Sequence, residues 1–289
     1  MPLMETWLQQ RNEAVLDPEL PIIDPHHHLW PMHPIRHYRY LDDELAQDLT
    51  AGHKVLATVY LQCRTMYRES GPEHMKPVGE TEWVNSIAER RARQSKDGPA
   101  IAAGIVAFAD LALGDPVDEV LEAHQAAAPQ RFRGIRNGTT WSDDQEVVGD
   151  GNVYAPHVLL DAKFRKGFAR LAPRGLSFDA WMFHPQLPEL TDLARAFPDT
   201  TIVLNHLGAP LGRGRYANRG QEMLEEWKRS ITELARCPNV YMKLGGAVMP
   251  MFGYHWELRP MPPSSDELVA ATGHYYRAAI DAFSPARCM

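Results

Sequence analysis

A run of three histidines directly follows a short apolar segment near the start of the chain. The string DPHHHLW spans residues 24–30, after the apolar segment Leu20–Asp24. Residues two apart in an extended chain point to the same side, so His26 and His28 are expected to share a face, with His27 turned away. Two imidazoles on one side can hold a metal ion or polarise a carbonyl group. The alternatives are an ordinary polar loop or a purification tag, and the apolar flanks argue against the tag.

Two further histidines close apolar segments in the same way. His184 follows the apolar part of FDAWMFHPQL, and His206 that of TIVLNHLGAP. A lone histidine after a strand is more often a packing or capping residue than a ligand, but each of these repeats the placement of the first pair. We therefore predict that His184 and His206 join His26 and His28 as catalytic residues. The remaining histidines lack this placement, and most are expected in loops or at the surface: His33, His37, His53, His74, His124, His157, His255 and His274.

Four side chains are candidates for substrate binding. Arg136, at the end of FRGIR, offers a bidentate guanidinium to a carboxylate or makes a structural salt bridge, and both interpretations stay open. Arg64 in LQCRTMYR is a second candidate, and His255 lies in an aromatic string, GYHW, that could overhang the site. Lys243 lies in the apolar string VYMKL, where an unpaired charge is costly. It is expected to find a partner, to face the cavity or to point outward between helices.

Short apolar segments alternate with longer charged segments of helical periodicity, and this pattern must position the candidate residues. Seven strands are predicted, at Leu20–Asp24, Lys54–Gln62, Ala100–Phe108, Phe132–Arg136, Leu176–Phe183, Thr201–Leu204 and Val240–Leu244. Near-continuous apolar strands that alternate with helices are typical of a parallel sheet covered by helices. Seven predicted strand–helix units favour an α/β fold of the TIM (β/α)₈-barrel type over a doubly wound sheet. The catalytic residues of such barrels lie at the carboxyl ends of the strands.

The last predicted helix, Asp266–Phe283, is followed by only a few residues. Residues 285–289 look like the start of an eighth strand, so we expect the eighth strand–helix unit to be missing from this chain. A naturally open barrel is the alternative. No linker-like composition divides the sequence, which favours one domain over residues 1–289, with an N-terminal extension at 1–19 and the barrel from about residue 20.

Composition argues against several classes of protein. The formal net charge of −7 and the absence of a basic block argue against nucleic-acid binding. No apolar run approaches the roughly 20 residues of a membrane span, and the polar N-terminus is not a secretory signal. Three scattered cysteines argue against a disulfide framework and predict a cytoplasmic protein.

The strings PIIDPHHHLW, FDAWMFHPQL and TIVLNHLGAP, in this order, resemble the amidohydrolase superfamily. The closest resemblance is to its amidohydrolase-2 branch, which contains sugar lactonases and 2-pyrone-4,6-dicarboxylate lactonase and is related to zinc decarboxylases. The resemblance runs from about Pro21 to the last residue. It implies that His26, His28 and His184 bind a divalent ion, usually zinc, in metal-dependent members. It also implies that His206 assists proton transfer.

Two departures from the family pattern matter. The family's aspartate at the end of strand eight, which ligates the metal or activates water, would lie beyond Met289. No lysine closes the fourth strand, FRGIR, which argues against a binuclear centre. Only three metal ligands are therefore visible where a site usually has four, and the branch also contains metal-independent members. One divalent metal, zinc, and a metal-independent mechanism both remain open.

The sequence thus predicts a hydrolase that opens a small carboxylated or polyhydroxylated lactone by attack of water on a carbonyl polarised by the histidines. One alternative is a zinc-dependent decarboxylase of a small aromatic or unsaturated acid. A second is a catalytically incomplete fragment. The expected partner is a small-molecule substrate rather than a nucleic acid or a membrane, and a homo-oligomer is compatible with the sequence.

Overall fold

The computed structural model describes residues 7–33, 37–94, 97–149 and 154–289. The chain forms two compact units, which are described in turn. Unit 1 contains Met1–Asp110 and Pro116–Arg136, and unit 2 contains Leu111–Asp115 and Asn137–Met289. The sequence-based expectation of one domain over residues 1–289 stays a prediction.

Unit 1 is built on parallel strands joined by helical crossovers. The strands are β1 (Pro21–His27), β2 (Lys54–Leu61), β3 (Ala100–Ala107) and β4 (Phe132–Gly138), whose last two residues belong to unit 2. Each pairs in parallel with the next, in chain order. The helices are α1 (Asp42–Leu49), α2 (Val78–Gln94) and α3 (Val117–Ala127). Placing α2 and α3 between successive strands gives the βαβ arrangement that parallel pairing requires.

The first strand extends three residues beyond its predicted end. It continues through Pro25 to His27, and its register against β2 shifts between Asp24 and His27. Proline has no N–H to donate to the ladder and is accommodated where the pairing is irregular. His26 and His27 are therefore part of β1 rather than of the loop that follows it.

His124 joins the helices of unit 1 to its sheet. It lies on α3 and is fully buried. Its Nδ1 is 2.8 Å from the Thr81 hydroxyl of α2, and its Nε2 is 2.9 Å from the carbonyl oxygen of Phe108, which follows β3. Since a carbonyl only accepts, Nε2 carries the proton and Nδ1 accepts from Thr81. His124 is an exception to the expectation that most of these histidines lie in loops or at the surface, and hydrogen bonds satisfy both of its ring nitrogens inside the core.

Unit 2 repeats the strand–helix alternation. Its strands are β5 (Ser177–Trp181), β6 (Ile202–Leu204) and β7 (Val240–Met242), and neighbours pair in parallel. Its helices are α4 (Gln145–Val148), α5 (Ala162–Phe168), α6 (Leu187–Ala196), α7 (Gly220–Leu234) and α8 (Ser265–Phe283). Phe164 and Phe168 of α5 pack against Phe178 of β5, with ring centroids 6.0 and 5.1 Å apart. The face of β5 that carries Phe178 is therefore the one covered by helix.

The face of β5–β7 opposite Phe178 is not the one covered by α5, and its side chains can therefore form a functional site. Since successive residues of a strand alternate between faces, Asp179 points away from the face of Phe178. Trp181 follows on the same face two residues later. The paired strands place Asn205 and Lys243, the first residues beyond the equivalent ends of β6 and β7, at this edge of the sheet.

The last residues of the chain pair with β7. Cys288 forms a parallel bridge with Met242, and the Leu244 N–H donates to the carbonyl oxygen of Met289. All seven predicted strands are present among the described residues, which confirms an α/β fold with parallel strands. Closure into a barrel and a missing eighth unit stay predictions.

Two smaller expectations concern cysteines and membrane spans. Cys63, Cys237 and Cys288 form no disulfide, as the sequence indicates. Among the described residues, no helix combines the length and the apolar character needed to cross a bilayer.

We expect His124 to make unit 1 less stable as the pH falls. Burial lowers the pKa of His124 from 6.5 to about 4. Between these values the unfolded chain binds a proton that the folded chain does not, so the free energy of unfolding falls as the pH falls through this window. A shift of this size corresponds to about 3 kcal/mol. Urea unfolding between about pH 4.5 and pH 7.5 measures the slope.

The variant His124→Asn isolates this contribution, because burial also lowers the pKa of His27 and His184 to about 4. This variant removes one titrating group. The dependence of the unfolding free energy on pH should therefore weaken by an amount that corresponds to at most one bound proton. The half-buried His74→Asn serves as the control and should keep the wild-type slope. Equal slopes in wild type and His124→Asn would contradict the prediction.

Candidate active site

His26 and His28 of unit 1 meet as the spacing predicts. Their Nε2 atoms are 3.2 Å apart, and their rings are nearly perpendicular, with centroids 4.9 Å apart. His27 turns the other way and packs edge-on against Tyr60, at a centroid distance of 5.6 Å. Burial lowers the pKa of His27 to about 4, so this ring is neutral at pH 7. The alternation inferred from the sequence is confirmed.

A main-chain carbonyl decides which nitrogen of His28 carries the proton. Nδ1 of His28 is 2.8 Å from the carbonyl oxygen of Leu61, the last residue of β2. A carbonyl can only accept, so Nδ1 of His28 donates and Nε2 of the neutral ring keeps its lone pair. That lone pair faces Nε2 of His26. Such an outer hydrogen bond is the usual way in which proteins orient a metal-binding histidine.

The geometry of this pair fits a zinc ion. Two Zn–N bonds of about 2.05 Å with nitrogens 3.2 Å apart enclose an angle of about 103°, close to the tetrahedral value. Within the part of the chain that the structure describes, no three His, Cys, Asp or Glu side chains group together as a metal site. The pair therefore supplies two of the four ligands that zinc usually takes.

Two arginines of unit 1 belong to β4 and to the segment that follows β2. Arg136 lies within β4, is 9% exposed, and donates from an Nη atom to the Gln62 carbonyl oxygen at 3.3 Å. Arg64 follows β2 with a positive φ of 63°, and its guanidinium lies 6.0 Å from the ring centre of Phe108. The carbonyls of Leu61 and Gln62 thus orient His28 and Arg136 from adjacent positions. Their roles in substrate binding stay predictions.

His184 of unit 2 has the opposite tautomer. The Leu211 N–H donates to His184 Nδ1 at 3.2 Å, so the proton of the neutral ring is on Nε2. His184 is 1% exposed, and burial lowers its pKa to about 4. Nε2 has no hydrogen-bond partner among the described residues. His184 therefore presents a buried, neutral N–H donor. A metal at this Nε2 would first have to displace its proton.

His206 begins a turn with left-handed backbone. The φ angles of His206, Leu207, Gly208 and Ala209 are 53°, 58°, 66° and 41°. Left-handed conformation costs a residue with a Cβ about 1–2 kcal/mol, so three of the four positions are strained. The turn is closed by hydrogen bonds from Gly208 to Asn205 and from Ala209 to His206, and the Trp227 indole donates to Leu207 at 2.7 Å.

The turn connects His206 to His184. The main-chain N–H of His184 donates to the carbonyl oxygen of Ala209 at 3.3 Å, and Leu211, two residues further on, donates to the His184 ring. The backbone of Gly246 lies against the other histidine, since a Cβ at Gly246 would come within 2.6 Å of His206 Nδ1. Gly246, whose φ is 78°, therefore allows the backbone to approach His206 closely.

An apolar wall adjoins these rings. It is a packed cluster of buried and half-buried side chains, namely Val147, Trp181, Phe183, Ala209, Leu211, Tyr216 and Met251. The Tyr216 ring lies edge-on to His184 at 5.1 Å, and the Trp181 ring edge-on to His206 at 5.2 Å. Such surroundings exclude water and strengthen any hydrogen bond that a histidine makes to a substrate.

Sequence reasoning missed two of the three members of a buried polar network. Lys243 finds a partner, since its Nζ is 2.7 Å from Oδ2 of Asp179. The same oxygen accepts from Nδ2 of Asn205 at 2.9 Å. Lys243, Asp179 and Asn205 are 4%, 2% and 0% exposed. The signal for this network was present, because Asp179 is a carboxylate in the middle of the apolar string FDAWMF.

The candidates thus fall into three groups. His26 with His28, Arg136 and Arg64 lie in unit 1, while His184, His206 and Lys243 lie in unit 2. His255 stands apart as an exposed residue with a φ of 52°, and its Nδ1 is 3.7 Å from a carboxylate oxygen of Glu257. Its role in substrate binding stays a prediction.

The chain is similar to several known proteins. The sequence model of the family described as Amidohydrolase matches residues 23–289. A protein of Sinorhizobium fredii named uncharacterized protein y4mH is 29% identical, over 88% of this chain and 82% of its own. L-Fucono-1,5-lactonase of Burkholderia multivorans is 25% identical, over 92% of this chain and 79% of its own. A crystal structure of a B. multivorans amidohydrolase with bound zinc shares the fold, with a TM-score of 0.67 at 24% identity, covering 92% of this chain and 82% of its own.

The opposite tautomers of His28 and His184 lead to a prediction about zinc. We expect His28→Ala to weaken zinc binding at least tenfold, because it removes a nitrogen whose lone pair is presented by the hydrogen bond to Leu61. His26→Ala should weaken binding as well, since it removes the other nitrogen of the 3.2 Å pair. His184→Asn should bind zinc like the wild type, since the Nε2 of His184 carries a proton. Calorimetric titration of chelator-treated protein with zinc chloride measures the affinity.

Each result decides one point. If His184→Asn loses zinc to the same extent as His26→Ala, His184 is a ligand, as the sequence resemblance implies. If the wild type takes up no zinc, the pair is not a metal site. The half-buried His74→Asn is the matched control and should not differ from the wild type.

Proposed function

The chain belongs to the amidohydrolase family and is a hydrolase, and we propose that its substrate is a small carboxylated or polyhydroxylated lactone. The reaction adds water across the ring ester. The water oxygen bonds to the carbonyl carbon, the ring C–O bond breaks, and the leaving oxygen takes a proton. The product is the open hydroxy acid, and no oxidant or reductant is needed.

The observation that carries this proposal is the buried N–H donor of His184. As the lactone carbonyl is attacked, its oxygen gains negative charge, and a donor fixed beforehand in an apolar environment stabilises that charge. The Leu211 N–H holds the ring of His184 in the tautomer that can donate. The low pKa of His184, about 4, keeps the ring neutral at pH 7, so Nδ1 stays an acceptor for the Leu211 N–H and the single ring proton is on Nε2. In this role His184 is a catalytic residue.

His26 and His28 are proposed to activate the water. The lone pair on Nε2 of His28 can accept a proton, and Nε2 of His26 lies within 3.2 Å to share it. The same two nitrogens would hold a zinc ion if one binds, together with further ligands. When bound, zinc would lower the pKa of a coordinated water to about 7 and polarise the carbonyl. The zinc found in the B. multivorans amidohydrolase supports this option.

His206 is proposed to deliver the proton to the leaving oxygen. Its imidazole is a half-buried ring beside Trp181 and is held against the backbone of Gly246. An imidazole can give and regain a proton near neutral pH, which is what a leaving alkoxide requires. Arg136 and Arg64 are proposed to bind the substrate's carboxylate or hydroxyl groups.

A lactone is favoured over other carbonyl substrates by two considerations. The L-fucono-1,5-lactonases of two Burkholderia species are related to this chain at 25% and 28% identity. The apolar wall around His184 and His206 offers aromatic faces to a compact ring, and Lys243 is already neutralised by Asp179. Recognition of hydroxyl groups and of one carboxylate then falls to the remaining polar side chains.

The test is a lactone panel with two matched substitutions of His184. Ring opening releases one acid equivalent for each turnover, which a pH-stat measures on sugar-acid 1,5-lactones and on carboxylated pyrones. His184→Asn keeps an acceptor for the Leu211 N–H but places no donor at the position of Nε2. We expect kcat/KM to fall about 10²–10³-fold, the loss typical for one oxyanion donor. His184→Gln, which can extend an N–H to that position, should retain more activity than His184→Asn.

Controls separate the alternatives. His74→Asn should keep the wild-type rate. Release of CO₂ without acid from an unsaturated carboxylic acid would replace the lactonase proposal by the decarboxylase. Wild-type rates in His184→Asn would show that the donor is not part of the catalytic machinery.

A further inference from the structure

Asp179, Asn205 and Lys243 form a buried polar network at β5 and at the ends of β6 and β7, and the proposed reaction gives it no role. Burying a charged pair costs free energy unless further hydrogen bonds satisfy it. Asn205 provides such a bond by donating from Nδ2 to Oδ2 of Asp179, at 2.9 Å, and also to the carbonyl oxygen of Val203, at 3.3 Å. The network therefore fixes Asn205 on two sides.

Asn205 immediately precedes the left-handed turn, and the main-chain oxygens of Asn205 and Lys243 accept hydrogen bonds from the turn. The Leu207 N–H donates to the main-chain oxygen of Lys243 at 3.2 Å, and the Gly208 N–H donates to that of Asn205 at 3.0 Å. A turn in which His206, Leu207 and Ala209 all have positive φ persists only when its surroundings hold it. These anchors are the surroundings that do so.

The far end of the turn reaches the donor histidine. Ala209 accepts from the main chain of His184, and Leu211 donates to its ring nitrogen Nδ1. If the turn relaxes, Leu211 moves away from Nδ1, and the ring is no longer held with its proton on Nε2. A neutral imidazole without such a bond populates both tautomers.

We propose that Asn205, anchored on the Asp179–Lys243 ion pair, is a positioning residue: it holds the strained His206–Ala209 turn, and through this turn it fixes the tautomer of His184 and the orientation of His206. The role rests on the proposed function only for its effect on rate. Its effect on the tautomer is a property of the folded chain.

The first measurement needs no activity. Ring ¹⁵N resonances distinguish a protonated from an unprotonated imidazole nitrogen, and comparison with His184→Asn assigns the signals of His184. In the wild type we expect one tautomer, protonated at Nε2. Asn205→Ala should shift His184 toward a mixture of tautomers. Unchanged His184 resonances in Asn205→Ala would overturn the proposal.

The second measurement is kinetic. Asn205→Ala should lower kcat at least tenfold on the best lactone while KM changes less than threefold, because the substrate pocket remains and the donor is misdirected. Ala209→Gly in the same chain should restore part of kcat and of the wild-type resonances, since glycine adopts a positive φ without a steric penalty. A loss of kcat that Ala209→Gly does not relieve would contradict an action through the turn.

A matched control distinguishes positioning from general stability. Asn239 is a half-buried asparagine of unit 2 that directly precedes β7, and its amide donates to the carbonyl oxygens of Ala194, Phe197 and Thr200. Asn239→Ala should lower the unfolding temperature but leave kcat and the His184 resonances unchanged. Equal effects of Asn239→Ala and Asn205→Ala on the resonances would reduce Asn205 to a structural residue and overturn the proposal.

The role of Asn205 can still be tested if a variant is unstable or if no lactone is hydrolysed. Where Asn205→Ala yields no folded protein, Asp179→Asn takes its place, because it keeps an acceptor oxygen for Asn205 while weakening the anchor. It should shift the tautomer of His184 in the same direction, and an unchanged tautomer would again overturn the proposal. If no lactone is hydrolysed, the proposed function fails, while the resonances still decide the role of Asn205.

Discussion

Main-chain hydrogen bonds that fix the tautomers of His28 and His184 are the constraint on which the chemistry of this protein depends. An imidazole can be a ligand and base or a donor, according to which nitrogen keeps the proton. The Leu61 carbonyl takes the Nδ1 proton of His28 and leaves a lone pair on Nε2, whereas the Leu211 N–H binds Nδ1 of His184 and leaves a proton on Nε2. Backbone atoms at the ends of strands and turns thus make Nε2 an acceptor in His28 and a donor in His184.

These backbone atoms are held in place at a cost. The turn after β6 keeps three residues with a Cβ in left-handed conformation, and the ion pair beneath it places two charges out of water. Either feature alone is destabilising by a few kcal/mol. Together they close a set of hydrogen bonds through Asn205 and the main-chain oxygen of Lys243. The strained turn and the buried ion pair are not needed for a stable fold. They are needed to hold a histidine ring in one orientation.

Much of the scaffold was predictable, and the reasons are visible in particular residues. The apolar strings that contain Val55, Ile105 and Val203 have no helical period, and each forms a parallel strand. The pairing of His26 with His28 follows from the two-residue repeat of a strand. The extension of β1 through Pro25 was not predicted, because proline normally ends strand pairing and only the register shift against β2 accommodates it. His124 was misplaced because its partners, Thr81 and Phe108, are distant in sequence.

The sequence by itself determined the family, the parallel α/β scaffold and the four histidines, because strand periodicity and residue type are local properties. Tertiary structure alone decided that Lys243 is paired with Asp179, that Asn205 anchors a strained turn, and which nitrogen of His28 and His184 carries the proton. Each of these depends on a hydrogen bond between residues that are 26 to 64 positions apart in the chain, and on the burial of the groups that it joins. The partner of a buried polar atom is set by packing, so no local pattern of residues can specify it.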